Sequence, residues 1–155
     1  MNQVVVKQEK SGYQIVEAYK SLRTNLQFCG EDKKVIAVTS CTPNEGKSSV
    51  SMQLGISLAE SGKRVILIDA DLRKSVLLGR TKTQKSVRGL AHFLSGQATL
   101  EDVICSTNVK NFYMIYSGPF PPNPAELLGG KNFRSLLNAL RKVYDYVIVD
   151  TPPLG

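Results

Sequence analysis

The sequence predicts an α/β domain, a doubly wound and mainly parallel sheet with helices on both faces. Three observations carry this reading. Short apolar runs rich in β-branched residues (35–40, 64–71 and 146–150) alternate with segments of helical spacing. These runs are apolar at almost every position, as strands buried on both faces are. Two of them end in aspartate, which suits the ligand-binding edge of a parallel sheet.

Taken in order, residues 13–28 (YQIVEAYKSLRTNLQF) place Ile15, Ala18, Tyr19, Leu22 and Leu26 at three-to-four spacing, an amphipathic helix. VIAVTS (35–40) is expected to be a buried strand. After CTPNEGKSS, a helix from about Ser48 to Ser61 is stopped by Gly62. RVILIDAD (64–71) is a second buried strand, and 87–94 is helical. Thr99 with Asp102 three residues on resembles a capping box opening a short helix. NFYMIYSG (111–118) predicts a strand, PFPPNP a rigid loop, 125–142 one broken or two short helices, and YVIVD (146–150) a last buried strand. The sequence ends one turn beyond that strand with no closing helix, which predicts an incomplete domain and a segment of a longer protein.

At 155 residues with 42% hydrophobic and 21% charged composition, the chain suits one ordinary core, so a single domain over 1–155 is expected and the composition argues against disorder. No apolar run approaches the roughly 20 residues that span a bilayer, and the first residues lack a signal peptide's apolar segment. Cys29, Cys41 and Cys105 are odd in number and without CxxC spacing, which argues against a disulfide framework or zinc and for reduced thiols. The net charge of +7 includes a run without acids, Arg73, Lys74, Arg80, Lys82, Lys85 and Arg88. It is either a solvated loop or a basic face for an acidic partner, anionic lipid or nucleic acid. Without interleaved aromatics, nucleic acid is the weakest of these and is not expected as a partner.

Gly46-Lys47-Ser48 lies between a predicted strand and a predicted helix, the context that a phosphate-binding loop requires. Gly46 lets the backbone approach a phosphate. The amides of Asn44, Glu45, Gly46, Lys47, Ser48 and Ser49 face the anion at the positive end of the helix. Lys47 brings a point charge to the β and γ phosphates of ATP, and the Ser48 hydroxyl is placed to ligate Mg²⁺. In the full motif G-x-x-x-x-G-K-[ST] the first glycine falls at Cys41, so the pattern is degraded.

Asp69 and Asp71 close one strand and Asp150 another. Carboxylates there can hold Mg²⁺ directly or through its waters. Separated by one residue, Asp69 and Asp71 point to the same side if the extended geometry persists, a pair suited to a base and a metal-side group.

SCTPNEGKSS, ILIDADLRK, YSGPFPPNPAELL and YDYVIVDTPP, in that order, resemble the Walker A, Walker A′, proline-rich and Walker B segments of the bacterial tyrosine kinases of capsule and exopolysaccharide synthesis. EAYKSLRTNLQF is similar to that family's oligomerisation helix, so the likeness covers residues 13–155. It implies a fold of the P-loop NTPase type, an N-terminal oligomerisation region (1–30), a nucleotide-binding core (31–155) and ATP-dependent phosphorylation of protein tyrosines, the kinase's own tail included. It implies that Lys47 grips the phosphates, that Ser48, Asp71 and Asp150 serve Mg²⁺, and that Asp69 is the base for the tyrosine hydroxyl. The family's ring-forming E-x-x-R-x-x-R pattern reads here Glu17, Lys20 and Arg23. Lysine at the middle position does not reproduce an arginine fork, which predicts weaker ring assembly. The likeness further implies a cytoplasmic protein held at the inner face of the membrane by the cytosolic segment of a membrane-embedded activator. In folds of this kind the Walker A and Walker B strands are neighbours, so residues 35–39 are expected to pair on one side only.

The alternatives are a partitioning or site-selection ATPase and a catalytically silent ATP-binding module. The first carries an early lysine, in K-G-G-x-G-K-[ST], where this sequence has Thr42, followed by Pro43 and Asn44.

Overall fold

The computed structural model describes residues 1–6, 35–38, 47–72, 81–83, 88–118 and 122–151. The strands are β1 (Asn2–Val6), β2 (Val35–Val38), β3 (Val65–Asp69), β4 (Thr81–Thr83), β5 (Cys105–Thr107), β6 (Phe112–Ile115) and β7 (Tyr146–Asp150). The helices are α1 (Lys47–Glu60), α2 (Leu90–Leu94), α3 (Leu100–Val103), α4 (Pro124–Leu128) and α5 (Lys131–Arg141). The strands form one sheet in the order β2-β7-β3-β6-β5-β1-β4. From β2 to β6 all pairs are parallel. β5 then turns antiparallel to β6, β1 runs parallel to β5, and β4 closes antiparallel on β1.

Every residue of β3 and β7 is buried, and their alternate side chains feed two cores. Val65, Leu67, Tyr146 and Ile148 join Met52, Leu54, Ile56 and Leu58 of α1 and Phe112 and Met114 of β6. Ile66, Ile68, Val147 and Val149 join Leu90 and Leu94 of α2 and Leu136 and Leu140 of α5. The apolar runs have no polar face because each strand is covered on both sides.

The local signals act as expected. Gly62, at φ +93°, ends α1, where Gly62 N–H donates to Ala59 O at 3.0 Å and Lys63 N–H to Leu58 O at 3.2 Å. This pairing satisfies the last carbonyls of the helix. Thr99 and Asp102 exchange both bonds of a capping box ahead of α3. Those bonds hold the Asp102 carboxyl below its ordinary range. Residues 125–142 are two helices, with Pro124 in the first turn of α4 and Gly129 and Gly130 between them.

Three strands escape the sequence patterns: β1, β4 and β5. β2 also departs from expectation. It was expected to be buried, yet its residues are exposed or half-buried, Val35 at 36%. It stands at the end of the sheet and, among the described strands, pairs only with β7. Ile36 and Val38 pack on the α1-side core. The helix expected over 13–28, and Arg73, Lys74, Arg80 and Lys85 of the basic run, lie outside the described residues.

α1 lies hard against the sheet at one point. A Cβ on Gly55 would stand 2.5 Å from Cε1 of Phe112, which is fully buried. Glycine inside a helix ordinarily costs up to ~1 kcal/mol relative to alanine, but overpacking a filled core costs about 1–3 kcal/mol. Gly55→Ala is therefore expected to destabilise the fold by roughly 1–2 kcal/mol, read as a lower denaturation midpoint. A rise in the midpoint would show that Phe112 yields.

Candidate nucleotide site

The C-terminal edge of the parallel strands carries Asp69 and Asp150, with Asp71 two residues beyond Asp69. α1 begins at Lys47, and Lys47, Ser48 and Ser49 form its first turn with no acidic residue there. The amides of that turn have no partner within the helix, and aligned peptide dipoles give this end about half a positive charge. α1 packs across β3, β7 and β6, so its positive end is held over the ends of these strands. Asn44, Glu45 and Gly46 lie outside the described residues, as do Glu17, Lys20 and Arg23.

Asp69 and Asp150 are directly opposite each other in the β3–β7 pairing. Strand alternation assigns both to α1's face, since Leu67 and Ile148, two residues earlier, lie in the α1-side core. Both are 1% exposed, and Asp71 is 9% exposed. Carboxylates so deep are tolerated only with partners, and all three have them.

The pairing expected of Asp69 and Asp71 along one extended strand is not what forms. β3 ends at Asp69, and Asp71 N–H donates to Asp69 Oδ1 at 3.2 Å. Leu72 N–H donates to Ala70 O at 3.0 Å. An aspartate that captures the amide two residues on bends its own backbone, so the strand cannot continue to Asp71. The turn gives the two carboxylates different settings, and the hydrogen bond orients Asp69.

Further bonds fix the edge. Ala70 N–H donates to Asp150 O at 2.9 Å, locking the end of β3 to that of β7. Thr151 donates to Val38 O through its N–H (3.0 Å) and its hydroxyl (2.9 Å), tying β7 to β2. Sequence reading passed over Thr151; its signal is a hydroxyl residue directly after a strand-end aspartate. Among the described residues no three His, Cys, Asp or Glu side chains converge as a metal cage.

The opposite edge is built for packing. The Arg64 guanidinium lies 5.4 Å from the centre of the Tyr113 ring and 5.2 Å from that of Tyr144, and the two rings meet edge to face at 5.4 Å. Tyr116, Tyr144 and Tyr146 are buried, in keeping with tyrosines that pack. Tyr13 and Tyr19 lie outside the described residues.

A helix start free of acidic residues, beside paired strand-end carboxylates, is the arrangement of a nucleotide-binding α/β domain. Comparison with known proteins gives the same class. Residues 33–155 match the family model described as AAA domain. The chain is 45% identical over 139 residues to tyrosine-protein kinase CpsD of Streptococcus agalactiae, covering 90% of this chain and 61% of that protein. The kinase domain of Escherichia coli tyrosine kinase ETK superposes with a TM-score of 0.82 at 31% identity, over 97% of this chain and 68% of that one. The septum site-determining protein MinD of Pyrococcus horikoshii, solved with Mg-ADP, has a TM-score of 0.64 at 27% identity, over 78% of this chain and 49% of that one. The chain belongs to the AAA domain family and, within it, to the bacterial tyrosine-kinase domains. It spans about three fifths of the length of the curated relatives named CpsD, 61% for the one above.

Cys105 takes no part in this edge. It is fully buried in the α1-side core, and burial pushes its thiol up to about 11. The reactive species is the thiolate, so in a Cys29→Ser, Cys41→Ser background the folded protein should resist a thiol reagent at about pH 8 and react once denatured. Labelling of the folded protein at the rate of a free thiol would contradict this.

Proposed function

We propose that the chain is the ATP-binding catalytic segment of an autophosphorylating protein-tyrosine kinase of capsule or exopolysaccharide synthesis. The observation that carries the reading is the placing of Asp69 and Asp150 opposite each other on α1's face, at the edge where α1 begins with Lys47 and Ser48. The likeness to the CpsD kinase supports the choice of acceptor.

The donor set suits Mg²⁺. That ion takes oxygen ligands, keeps several waters, and is usually bound by one or two carboxylates together with substrate phosphates rather than by an all-protein cage. Asp71 and Asp150, with Ser48, are the residues that would hold it, and no cage forms among the described residues. When bound it supplies neutralisation of charge on the β and γ phosphates. Lys47 adds a positive charge at the same oxygens, where transition-state charge spreads. Asp69 accepts the proton of the tyrosine hydroxyl as that oxygen bonds to the γ-phosphorus and the bond to the β-phosphate oxygen breaks, releasing ADP. The Asp71 amide holds the Asp69 carboxylate in place for this.

In the same reading the partners are protein tyrosines, the cytosolic segment of a membrane-embedded activator, and further copies of the chain joined in a ring through Glu17, Lys20 and Arg23. The activator is what would bring the protein to the inner face of the membrane. Among the described residues no helix is long and apolar enough to cross one.

The likeness to MinD favours a second reading, a site-selection ATPase. Thr42, in place of that class's early lysine, weighs against it. ATP labelled at the γ position separates the readings: label on protein tyrosine marks a kinase, free phosphate an ATPase, and retention on the nucleotide a silent binder.

Lys47→Met is expected to lower phosphoryl transfer by about 10²–10³-fold and to weaken ATP binding. Wild-type levels of phosphotyrosine in this variant, assayed with the activator present, would remove Lys47 from the mechanism. A second pair of variants separates the aspartates. Asp69→Asn should cost roughly 10²–10⁴-fold in turnover while leaving Mg·ATP affinity nearly unchanged, and Asp71→Asn should raise the Mg²⁺ concentration required. The opposite pattern in titrations of the two variants would exchange their roles.

A further inference from the structure

α2 starts where β6 ends. Its first two residues, Leu90 and Ala91, donate N–H to Tyr116 O at 2.6 Å and Ser117 O at 2.9 Å. The residue at its N-cap is Gly89, which has no side chain to cap with. Instead Gly89 N–H donates to Nδ1 of His92, one turn into the helix, at 3.0 Å. An acceptor at Nδ1 requires that the neutral ring carry its proton on Nε2. The backbones of Gly89 and Gly118 meet beside this bond. A Cβ on Gly89 would lie 2.5 Å from Gly118 Cα, and one on Gly118, at φ +83°, would lie 3.3 Å from His92 Nδ1. The imidazole therefore closes a junction with room only for glycine on either side.

The junction adjoins the proposed site. β6 pairs with β3 as far as Ile115 opposite Ile68, so Tyr116 and Ser117 continue alongside Asp69 and Ala70. In the strand order β7-β3-β6, Asp150, one of the residues that would serve the phosphate-bound cation, ends β7, Asp69 ends β3, and Tyr116–Ser117 lies beyond Asp69 on the side away from Asp150. If phosphates occupy the first position and the base the second, the hydroxyl that receives the phosphoryl group approaches from the β6 side.

We propose that His92, the chain's single histidine, is a positioning residue for phosphoryl transfer. Through Nδ1 it fixes the start of α2 on the Tyr116–Gly118 segment and so sets the wall along which the acceptor reaches Asp69. The inference rests on the phosphotransfer reading for the identity of the acceptor, but not for the presence of the wall.

The test compares wild type, His92→Leu and His92→Asn in the complete protein, with labelled ATP and a tyrosine peptide, and measures Mg-ADP affinity in parallel. Asparagine offers a carbonyl oxygen near the place of Nδ1; leucine offers no acceptor. His92→Leu should lower kcat, or raise the KM of the peptide, by about fivefold, the worth of one neutral hydrogen bond. Mg-ADP affinity should stay unchanged, and His92→Asn should recover most of the loss. The amide signals of Gly89 and Gly118 should shift in the leucine variant and return in the asparagine one. An unaffected leucine variant, a parallel fall in nucleotide affinity, or no rescue by asparagine overturns the proposal. Should the leucine variant not fold, His92→Gln, whose longer arm misplaces the acceptor, takes its place. If the wild type passes label to water instead of tyrosine, the kinase assignment fails. The same comparison, scored on phosphate release, then decides the role of His92.

Discussion

The side chains of β3 and β7 alternate between two cores, and the register that sets Asp69 opposite Asp150 is what holds both carboxylates on the face of the sheet that carries α1. A slip of one residue in either strand would send its aspartate to the opposite face, among Ile68, Ala70 and Val149. That alternative is costly because every residue of both strands is buried, so a slip would misplace all five side chains of the strand that moves. The bonds from Ala70 to Asp150 and from Thr151 to Val38 extend the register past the last paired residues. The position of the carboxylates is thus a property of the whole hydrophobic interior.

The electrostatics of the edge follow from that arrangement. A helix end free of acidic residues brings positive potential to the strand ends, and the deep aspartates bring negative charge beside it. A polyphosphate with its cation is complementary to both, as neither a simple anion nor a bare metal ion is. The turn at Asp69 refines this by spending one interaction of a carboxylate on its own backbone. It fixes the direction of that carboxylate.

Much of this was legible in the sequence, for reasons that differ from element to element. VILID and YVIVD declared themselves because burial on both faces leaves no room for polar residues, and their closing aspartates marked the edge. Gly62 and the Thr99–Asp102 box acted through local chemistry, which sequence exposes directly. TKT and CST did not announce themselves as strands, because three polar or small residues become a strand only by pairing with β1 or β6. VIAV was read as buried from its apolarity, although the one-sided pairing expected from the likeness, and found among the described strands, already leaves such a strand more open. The displacement of Asp71 from the strand line was hidden because the competing Asx turn is invisible to a rule of alternation. The His92 cap was missed because glycine followed three residues later by histidine does not match the Ser/Thr–Glu pattern of a capping box.

The close approach of Gly55 to Phe112 has a mechanical consequence. α1 touches incompressible aromatic carbon near its middle, and its far end is tied down around Gly62. It cannot settle further onto the sheet, so the yielding motion left to it is a pivot about that contact. The arm from Gly55 to Lys47 is about 12 Å at the ordinary rise of a helix. A tilt of about 5° then carries the phosphate end through roughly 1 Å, a distance at which catalytic geometry is already sensitive. Phe112 is in this sense a fulcrum, converting a small rotation of one helix into a displacement where charge must be placed most accurately.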